Sequence, residues 1–477
     1  MWKYCGKNIR PFTALTGCRF GRQIITTNAG RIGASNVVKE LNNALPIHNQ
    51  NAKEIDYLDR YYRGDQPILY RRKTTRPEVN NKIVENLAYM IVETKTAEIV
   101  GEPIQYILNC VDDNKSKQVE KLNVMLDEED KHYYDIELKR WSSICGTAYR
   151  FIGNDEGKGR LLDNSPFYLS TEDPRYTFMV YFPNGKEAFS CQIRENEDGD
   201  TVYYIYTNAE YFIICNNEII DSGLNGNGAI PVVEYPNNSR RLSDIEITIT
   251  MTDEINKMAS DRVNGIEQFV SSWVKFINCE VDEDSFLAMR QEGALVVKSN
   301  EGNNNADVDI ITSELNQTES QVAVSDQYEK LLVIQGMASR QENTGGDTQG
   351  AVELRNGHYD SEKRAELSEP VWKRAERQSL RLILNRLRIM QSSEFDLMAS
   401  DVEIHISRSK LDNMQVKAQV LQMLLNCGIE ESIAIKVVGL FSDAERTYLA
   451  SKDRMSVLYP KNADTSQKQK ENKVSVE

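Results

Sequence analysis

A glycine-rich stretch, NTGGDTQGAVELRNG at residues 343–357, has the spacing of a loop that could cradle a phosphate group. Gly345 and Gly350 match the G-x-x-x-x-G pattern, in which backbone N–H groups surround the phosphates of a nucleotide. Such a loop also needs a Lys for the outer phosphates and a Ser or Thr for Mg²⁺, and Ala351 and Val352 stand there instead. The stretch therefore predicts a flexible loop that does not bind a nucleotide.

Two acidic runs could supply oxygen ligands for the Mg²⁺ of a nuclease, DEED at 127–130 and VDED at 281–284. Solvated acidic faces are common, so we expect neither run to be a nuclease site. The eight cysteines are scattered without a C-x-x-C pair, which favours reduced thiols over a disulfide framework. We expect no catalytic activity, metal or cofactor, and keep a metal-dependent nuclease as the alternative.

Charge separates the chain into regions. The net charge of -15 argues against a free-standing nucleic-acid binder, because such proteins cluster Lys and Arg. The first 39 residues nevertheless carry seven basic residues and no acid. We expect a flexible basic arm over 1–45, a flexible polar tail over 456–477, and no membrane segment, since no apolar run approaches the roughly 18 residues required.

The spacing of apolar residues predicts a helix over 82–100 and a set of strands between about 160 and 236. An apolar stripe over 82–100, with Gly101 and Pro103 behind it, predicts a packed helix. Between about 160 and 236, β-rich runs alternate with PNG, NEDGDT and NNE turns, which predicts a meander of antiparallel hairpins.

Three long helical stretches follow. Ser243 and Glu246 form a capping box that opens a helix to residue 277, about 50 Å long at 1.5 Å per residue. A second helix is predicted over 318–336 and a third from about 351 to 390, in which Pro370 must cause a kink. The apolar residues of the first helix keep three- and four-residue spacing: Ile255, Met258, Ala259, Val263, Ile266, Phe269 or Val270, Trp273 and Ile277. Neighbouring copies of the chain, arranged head to tail in a ring, would cover such a stripe.

Four segments resemble portal proteins of tailed double-stranded-DNA bacteriophages, the head-to-tail connectors of the long-tailed siphophage type. They are NNKIVENLAYMIVETKTAEIVGEPIQY (80–106), WSSICGTAYRFI (141–152), NNSRRLSDIEITITMTDEINKMASDRVNGIEQF (237–269) and GGDTQGAVELRNG (345–357). The resemblance covers roughly residues 50–450. It departs from the family in the basic N-terminal 40 residues and at 252–255, where an aromatic residue is expected.

The resemblance implies an α+β portal-type fold with long stem helices, a β-rich wing, a small clip and a helical C-terminal crown. The implied domains follow chain order: arm 1–45, wing 46–242, first stem helix 243–278, clip 279–317, second stem helix 318–336, tunnel loop 337–352, kinked wing helix 353–400, crown 401–455 and tail 456–477.

The resemblance also implies a function and partners. The chain would form a ring, usually a dodecamer, at one capsid vertex of the virion after assembly in the host cytoplasm. Double-stranded DNA would pass through it without sequence preference. Terminase, head–tail adaptors, and the major capsid and scaffolding proteins would bind it. A capsid or scaffold protein without a channel is a second alternative, beside the nuclease.

The implied sites fall into three groups. The DNA-facing tunnel loop would consist of Gly345, Gly346, Asp347, Thr348, Gln349 and Gly350. The terminase and adaptor contact in the clip would use Glu280, Asp282 and Asp284, which lie between the stem helices in a polar stretch. Pro370 would kink the wing helix.

Overall fold

The computed structural model describes residues 21–74, 77–109, 112–154, 165–270, 273–277, 307–311, 317–338, 358–390, 395–407, 414–438, 447–448 and 451. The α-helices in these ranges are α1 (Val37–Tyr62), α2 (Leu87–Val100), α3 (Asp113–Glu128), α4 (Lys131–Cys145), α5 (Ile249–Val270), α6 (Gln317–Gln335), α7 (His358–Met390), α8 (Met414–Asn426) and α9 (Glu431–Val438). A short 3₁₀ helix spans Pro67–Tyr70.

The strands in the same ranges are β1 (Ile25–Thr26), β2 (Gln105–Leu108), β3 (Thr147–Asn154), β4 (Phe167–Glu172), β5 (Thr177–Tyr181), β6 (Glu187–Glu195), β7 (Thr201–Tyr206), β8 (Glu210–Cys215), β9 (Glu218–Leu224), β10 (Val232–Pro236), β11 (Trp273–Ile277), β12 (Asp307–Ile311) and β13 (Val402–His405). Helices and mainly antiparallel sheets thus occur together, which confirms the α+β class.

The chain divides into two compact units. The first unit comprises residues 1–22, 53–93 and 242–364, and the second comprises residues 23–52, 94–241 and 365–477. Each unit is therefore built from three separate parts of the sequence.

The second unit contains the predicted meander. Strands β5 to β9 pair antiparallel in chain order, and β1 extends their sheet by lying parallel to β5. The β8–β9 turn has Asn216 and Asn217 at φ of 50° and 65°, as a two-residue type I′ hairpin requires. Gly185 and Gly199 take left-handed φ angles in the PNG and NEDGDT turns. All three predicted turns are thus confirmed.

The meander does not include every strand between 160 and 236. Strands β4 and β10 flank β3 in a separate three-stranded antiparallel sheet. Strand β13 pairs antiparallel with β2, and Val402 lies opposite Leu108. The largest core of this unit joins α2, α3, α4 and α7 to these sheets through buried residues such as Leu122, Leu138, Tyr235 and Leu384.

The first unit is mainly helical. Its core is the cluster formed by Leu87, Ile91, Ile255, Leu331 and Leu332, which come from α2, α5 and α6. The bounds of α6, Gln317–Gln335, agree with the predicted helix over 318–336 to within one residue.

The predicted helix over 243–277 is wrong in its extent. Helix α5 covers Ile249–Val270, about 33 Å at 1.5 Å per residue. Residues Trp273–Ile277 instead form β11, which pairs antiparallel with β12. The sequence WVKFI combines aromatic and β-branched residues that suit a strand, and a short apolar run fits helical and strand periodicity equally well.

Two further boundaries differ from expectation. Helix α2 begins at Leu87 and not at residue 82, because backbone N–H groups of the preceding residues bond to side chains of α5. The boundary expected at residue 45 for the basic arm falls inside α1, and Ile25, Ile32 and Val37 are buried. Residues 1–20 lie outside the described part of the chain.

Candidate functional site

The sequence-predicted sites fall almost entirely outside the described residues. The tunnel-loop residues Gly345–Gly350 and the clip residues Glu280, Asp282 and Asp284 belong to ranges that the structure does not describe. Pro370 is described, and helix α7 runs from His358 to Met390 with Pro370 inside it. The kink expected at Pro370 stays a prediction.

The elements next to these ranges are described. Helices α5 and α6 pack together, and the first half of the apolar stripe of α5 is buried, with Ile255 at 0% and Ala259 at 9% exposure. The second half is not, since Val263 and Ile266 are 36% and 40% exposed. On α6, Val333 is 67% exposed. The helix pair thus keeps an apolar face that the described residues of one chain leave open.

A row of polar side chains on α5 binds the segment that precedes α2. Three backbone N–H groups donate to side-chain oxygens spaced four residues apart: Asn81 to Asn264 Oδ1 at 2.7 Å, Ile83 to Ser260 Oγ at 2.9 Å, and Glu85 to Asn256 Oδ1 at 2.8 Å. We call this row the polar ladder. All three acceptor residues are 2% exposed or less.

The ladder follows from a match between two repeats. Two residues of an extended chain advance about 6.6–6.8 Å, and four residues of an α-helix advance about 6.0 Å. Every second N–H of an extended segment therefore meets every fourth residue of a helix for a few steps. The segment is antiparallel to α5, and the ladder joins two of the regions that resemble portal proteins, around 80–87 and 256–269.

The ladder extends sideways through a second layer of amides. Asn256 Nδ2 donates to Gln66 Oε1, and Gln66 Nε2 donates to Asn86 Oδ1 at 3.1 Å. Asn86 Nδ2 then donates to the Tyr62 carbonyl at 2.8 Å. These bonds tie α1, the 3₁₀ helix region and α2 to one face of α5. Sequence reasoning missed the ladder, although Asn256, Ser260 and Asn264 recur at helical spacing.

The chain just before α5 carries the predicted capping box. Glu246 accepts the Ser243 N–H at 2.8 Å, and the Ser243 hydroxyl accepts the Ile245 N–H at 3.0 Å. The box organises a turn ahead of the helix, which itself begins at Ile249. Glu246 also pairs with the buried Arg22 guanidinium, which lies 3.4 Å from Glu54. Burial raises the pKa of Glu246, and Arg22 opposes that rise.

The second unit contains a buried charge cluster of Lys131, Asp135, Arg150 and Glu376, in which every side chain is 6% exposed or less. Lys131 Nζ lies 2.5 Å from Asp135 Oδ2 and 3.0 Å from Glu376 Oε1. Arg150 pairs with Asp135 and lies 3.4 Å from Glu376 Oε2. Two cations face two carboxylates, so the cluster is neutral as a whole.

Tyrosine hydroxyls complete the coordination of Glu376. Tyr235 lies 2.9 Å from Glu376 Oε2 and 2.6 Å from Ser379 Oγ, and Tyr106 donates to Glu376 Oε1. Burial alone would raise the pKa of Glu376, but Lys131 and Arg150 lower it to about 2. A carboxylate that stays ionised at neutral pH and has its oxygens occupied is suited to holding elements together and not to proton transfer. An Arg inside the apolar strand sequence TAYRFI was the available signal for a buried ion pair.

A second buried carboxylate lies on β10. Glu234 accepts from Thr147 Oγ1 at 2.7 Å and from Arg241 Nη2 at 2.7 Å, and Tyr181 also donates to it. Burial would raise the pKa of Glu234, but Arg241 and these donors bring it below its usual value. This group joins β3, β5 and β10 with the residues that follow β10.

The described ranges contain neither a metal-binding cluster nor a membrane-spanning helix. Within them, no group of three or more His, Cys, Asp or Glu side chains is arranged to hold a metal ion. The acidic run at 281–284 lies outside these ranges. No described helix has the length and apolar character needed to cross a bilayer.

Comparison with known proteins gives one result. A family model described as phage portal protein, SPP1 Gp6-like, matches residues 41–470. No curated protein matches the chain. The matched range includes the polar ladder and the buried charge cluster.

Proposed function

Since the chain belongs to the SPP1 Gp6-like family of phage portal proteins, we propose that it forms a closed ring, a dodecamer, at one vertex of the viral head. Double-stranded DNA would pass through the central channel during packaging and ejection. The ring would assemble in the host cytoplasm with the major capsid and scaffolding proteins, and later dock terminase and head–tail adaptors. Portal proteins are structural, so no catalysis is included in the proposal.

The open apolar face of the α5–α6 pair is the observation on this chain that best supports a ring. Val263 and Ile266 continue the stripe whose first half, at Ile255 and Ala259, is buried. Removing apolar side chains from water is worth about 25 cal/mol per Å². A neighbouring copy would supply that cover, and a head-to-tail contact of this kind closes into a ring when the rotation between copies permits.

Within the ring, we assign α5 and α6 to the stem. Residues 279–317, which run from beyond α5 to the start of α6, would form the clip that meets terminase and the adaptors. Their composition supports an exposed rim, since EGNNNAD and DEDS are polar. Charge reversal at Glu280, Asp282 or Asp284 should then weaken terminase capture while rings still assemble. Loss of rings in these variants would instead make the segment structural.

The stretch 337–352 would be the tunnel loop, and α7, with Pro370, the wing helix. Gly345, Gly346 and Gly350 would give the loop the backbone freedom to let a moving duplex pass. Thr348 and Gln349 could make transient hydrogen bonds to phosphate, while no Lys is present to hold it. Residues 401–455 would form the crown.

The net negative charge of the ring favours passage of DNA over binding of DNA to the channel wall. With -15 per chain, a dodecamer carries a net charge of about -180. A wall of that sign weakens lasting adhesion of DNA, because tight sequence-independent binding needs clustered cations.

Negative-stain imaging of the purified protein tests the ring directly. We expect closed rings with a central hole and about twelve subunits. Monomers or open sheets without a hole would favour a capsid or scaffold protein. Metal-dependent cleavage of plasmid DNA by the same preparation, absent when EDTA is added, would favour the nuclease.

Replacement of Val263 and Ile266 by Ser makes the imaging specific to the proposed contact. Ring formation should fall while the fold of the isolated chain is retained. Replacement of Ile220 by Ser is the matched control, since Ile220 is 62% exposed on β9, away from α5 and α6 in the sequence. Equal effects at both places would contradict the assignment of the α5 face.

A further inference from the structure

Four arginines lie on one face of α7, in the second unit. Arg374, Arg381 and Arg388 recur every seven residues, which is close to two helical turns, and Arg377 lies four residues before Arg381. Arg374, Arg377 and Arg381 are exposed, and Arg388 is half-exposed. We call these four residues the arginine stripe.

The acidic residues of α7 do not neutralise the stripe. All of them lie at or before Glu376, so the remainder of the helix contains no carboxylate. Glu369 pairs with Lys373 at 2.6 Å, and Glu376 belongs to the buried charge cluster. No carboxylate of the described ranges forms an ion pair with the last three residues of the stripe. The stripe is therefore a row of accessible cations on a chain whose net charge is -15.

Hydrogen bonds of α7 place the stripe at one end of the meander sheet. Gln378 Nε2 donates to Glu187 Oε1 at 2.6 Å, at the start of β6. Asn385 Nδ2 donates to the Asn227 carbonyl at 2.8 Å, in a loop that also bonds to the end of β7. Because β6 and β7 are antiparallel, the start of β6 and the end of β7 lie at the same end of the sheet. Arg381 lies between Gln378 and Asn385 in the helix, so the middle of the stripe lies there too.

The opposite end of the same sheet carries the opposite charge. There β6 and β7 are joined by the sequence ENEDGD at 195–200, which we call the acidic turn. Its four carboxylates are all exposed: Glu195, Glu197, Asp198 and Asp200. Within the described part of the chain, no cation forms an ion pair with them. Eight residue steps along β6 separate Glu187 from Glu195, which is about 26 Å at 3.3 Å per residue.

We propose that the arginine stripe of one copy binds the acidic turn of the neighbouring copy in the ring. This inference rests on the proposed ring. A head-to-tail ring needs two different and complementary surfaces on each chain. The stripe and the turn meet this need, because they have opposite charge and lie too far apart to pair within one chain. Guanidinium groups also form bidentate pairs with carboxylates, which favours a defined geometry at the contact.

Charge reversal on each surface tests the contact. Arg377→Glu with Arg381→Glu reverses the stripe, and Glu197→Arg with Asp198→Arg reverses the turn. Either pair of substitutions brings like charges together. The protein concentration at which half of the chains are in rings should therefore rise at least about tenfold at low salt. At about 1 M salt, where the screening length is about 3 Å, the variants should approach wild type. Sedimentation velocity measures the fraction of chains in rings.

Combining the reversals separates this contact from other causes of lost assembly. A chain with both reversals should form rings as wild type does, since each reversed stripe meets a reversed turn. An equimolar mixture of stripe-reversed and turn-reversed chains should also form rings, because alternating copies restore opposite charges at every contact. Neither protein should do so alone at low salt. Failure of both combinations to restore rings would overturn the proposal.

Lys117→Glu with Arg240→Glu is the matched control, since it makes the same change in net charge at exposed residues outside the stripe. Circular dichroism establishes that each variant is folded. If the reversed proteins assemble like the control while wild type forms rings, this inference is wrong and the proposed function stands. Wild-type protein that forms no rings would contradict both. If stripe reversal leaves the rings intact and abolishes binding of a short DNA duplex, the stripe binds nucleic acid and the proposal is overturned.

Discussion

Asn264 Oδ1 accepts the backbone N–H of Asn81 at 2.7 Å, although 183 residues separate the two along the chain. This bond is one end of the polar ladder, and it joins two of the sequence regions that resemble portal proteins. The ladder explains why the residues just before Leu87 are not part of α2, since alternate N–H groups there are used by α5.

Loss of a ladder acceptor should destabilise the first unit. Asn264→Ala and Ser260→Ala each leave a backbone N–H without its partner, and we expect a decrease of about 1–2 kcal/mol in the free energy of unfolding. Hydrogen exchange should accelerate at the Asn81 and Ile83 amides. Lys257→Ala, on an exposed part of α5, is the control and should change neither quantity.

Glu376 should be among the residues most sensitive to substitution. Glu376→Gln keeps the shape of the side chain but leaves Lys131 and Arg150 with one carboxylate between them, and breaking a buried pair costs about 3–5 kcal/mol. Urea denaturation measures the change. Glu369→Gln is the matched control on the same helix, because its pair with Lys373 is partly exposed and worth about 0–1 kcal/mol. Similar losses in both variants would show that the buried charge cluster contributes little.

Asp253 should make the free energy of unfolding decrease as the pH rises, since its pKa is raised in the folded state. Burial raises its pKa to about 6, while the Tyr61 hydroxyl, 2.9 Å from it, lowers the pKa. The folded state therefore binds the proton more tightly than the unfolded chain, and this contribution to stability is lost as the pH rises from about 4 to about 6.

Asp253→Asn tests that direction, since the amide oxygen can still accept from Tyr61. It should raise the free energy of unfolding by about 1–2 kcal/mol at pH 8, allowing for partial exposure, and have little effect at pH 4. Asp326→Asn, on an exposed part of α6, serves as control. A gain that is the same at both pH values would refute the titration.

Gly336 should not tolerate a side chain. It ends α6 at φ +64°, and the Met337 N–H bonds to the Leu332 carbonyl at 2.9 Å, as in a Schellman motif. A Cβ there would lie 2.3 Å from Arg364 Cδ, and the Arg364 guanidinium donates to the Ile334 carbonyl at 2.7 Å. We expect Gly336→Ala to cost about 1–2 kcal/mol for the left-handed backbone alone, and more once Arg364 is displaced.

Two other glycines separate these contributions. Gly428 has φ +81°, and no atom lies within 4 Å of the place where a methyl group would stand, so Gly428→Ala should cost only the backbone contribution. Gly226 has open space and no left-handed φ, and its replacement by Ala should be nearly neutral. Thermal unfolding of the three variants should rank them in that order.

The proposed tunnel loop should control DNA passage and leave assembly unchanged. Valine cannot reach the positive φ values that are open to glycine without strain. Gly346→Val and Gly350→Val should therefore stiffen the loop and reduce the amount of DNA packaged per head. Asp347→Lys adds a ring of positive charge that should slow translocation, and more so at low salt. Ring integrity is measured in parallel. Wild-type packaging in all three variants would show that the loop does not face the DNA.

Local chemistry made a large part of the fold predictable from the sequence. The asparagine and glycine turns set the hairpins of β5 to β9, because few other residues accept positive φ at those positions. Strong helical periodicity with polar flanks placed α6 to within one residue. The ordered set of family-specific segments identified the portal resemblance, which the match over residues 41–470 confirms.

Tertiary structure alone decided which elements became partners. The strand at Trp273–Ile277 exists because β12 pairs with it, and an apolar run of five residues does not distinguish a strand from a helix end. Helix α2 starts at Leu87 and not at residue 82, because Ser260 and Asn256 accept the backbone N–H groups of the residues just before it. The first N–H groups of a helix have no partner within the helix. The charge of Arg150 could be buried only because Asp135 and Glu376 come from distant positions to neutralise it. Such contacts depend on distance in space, which residue order does not contain.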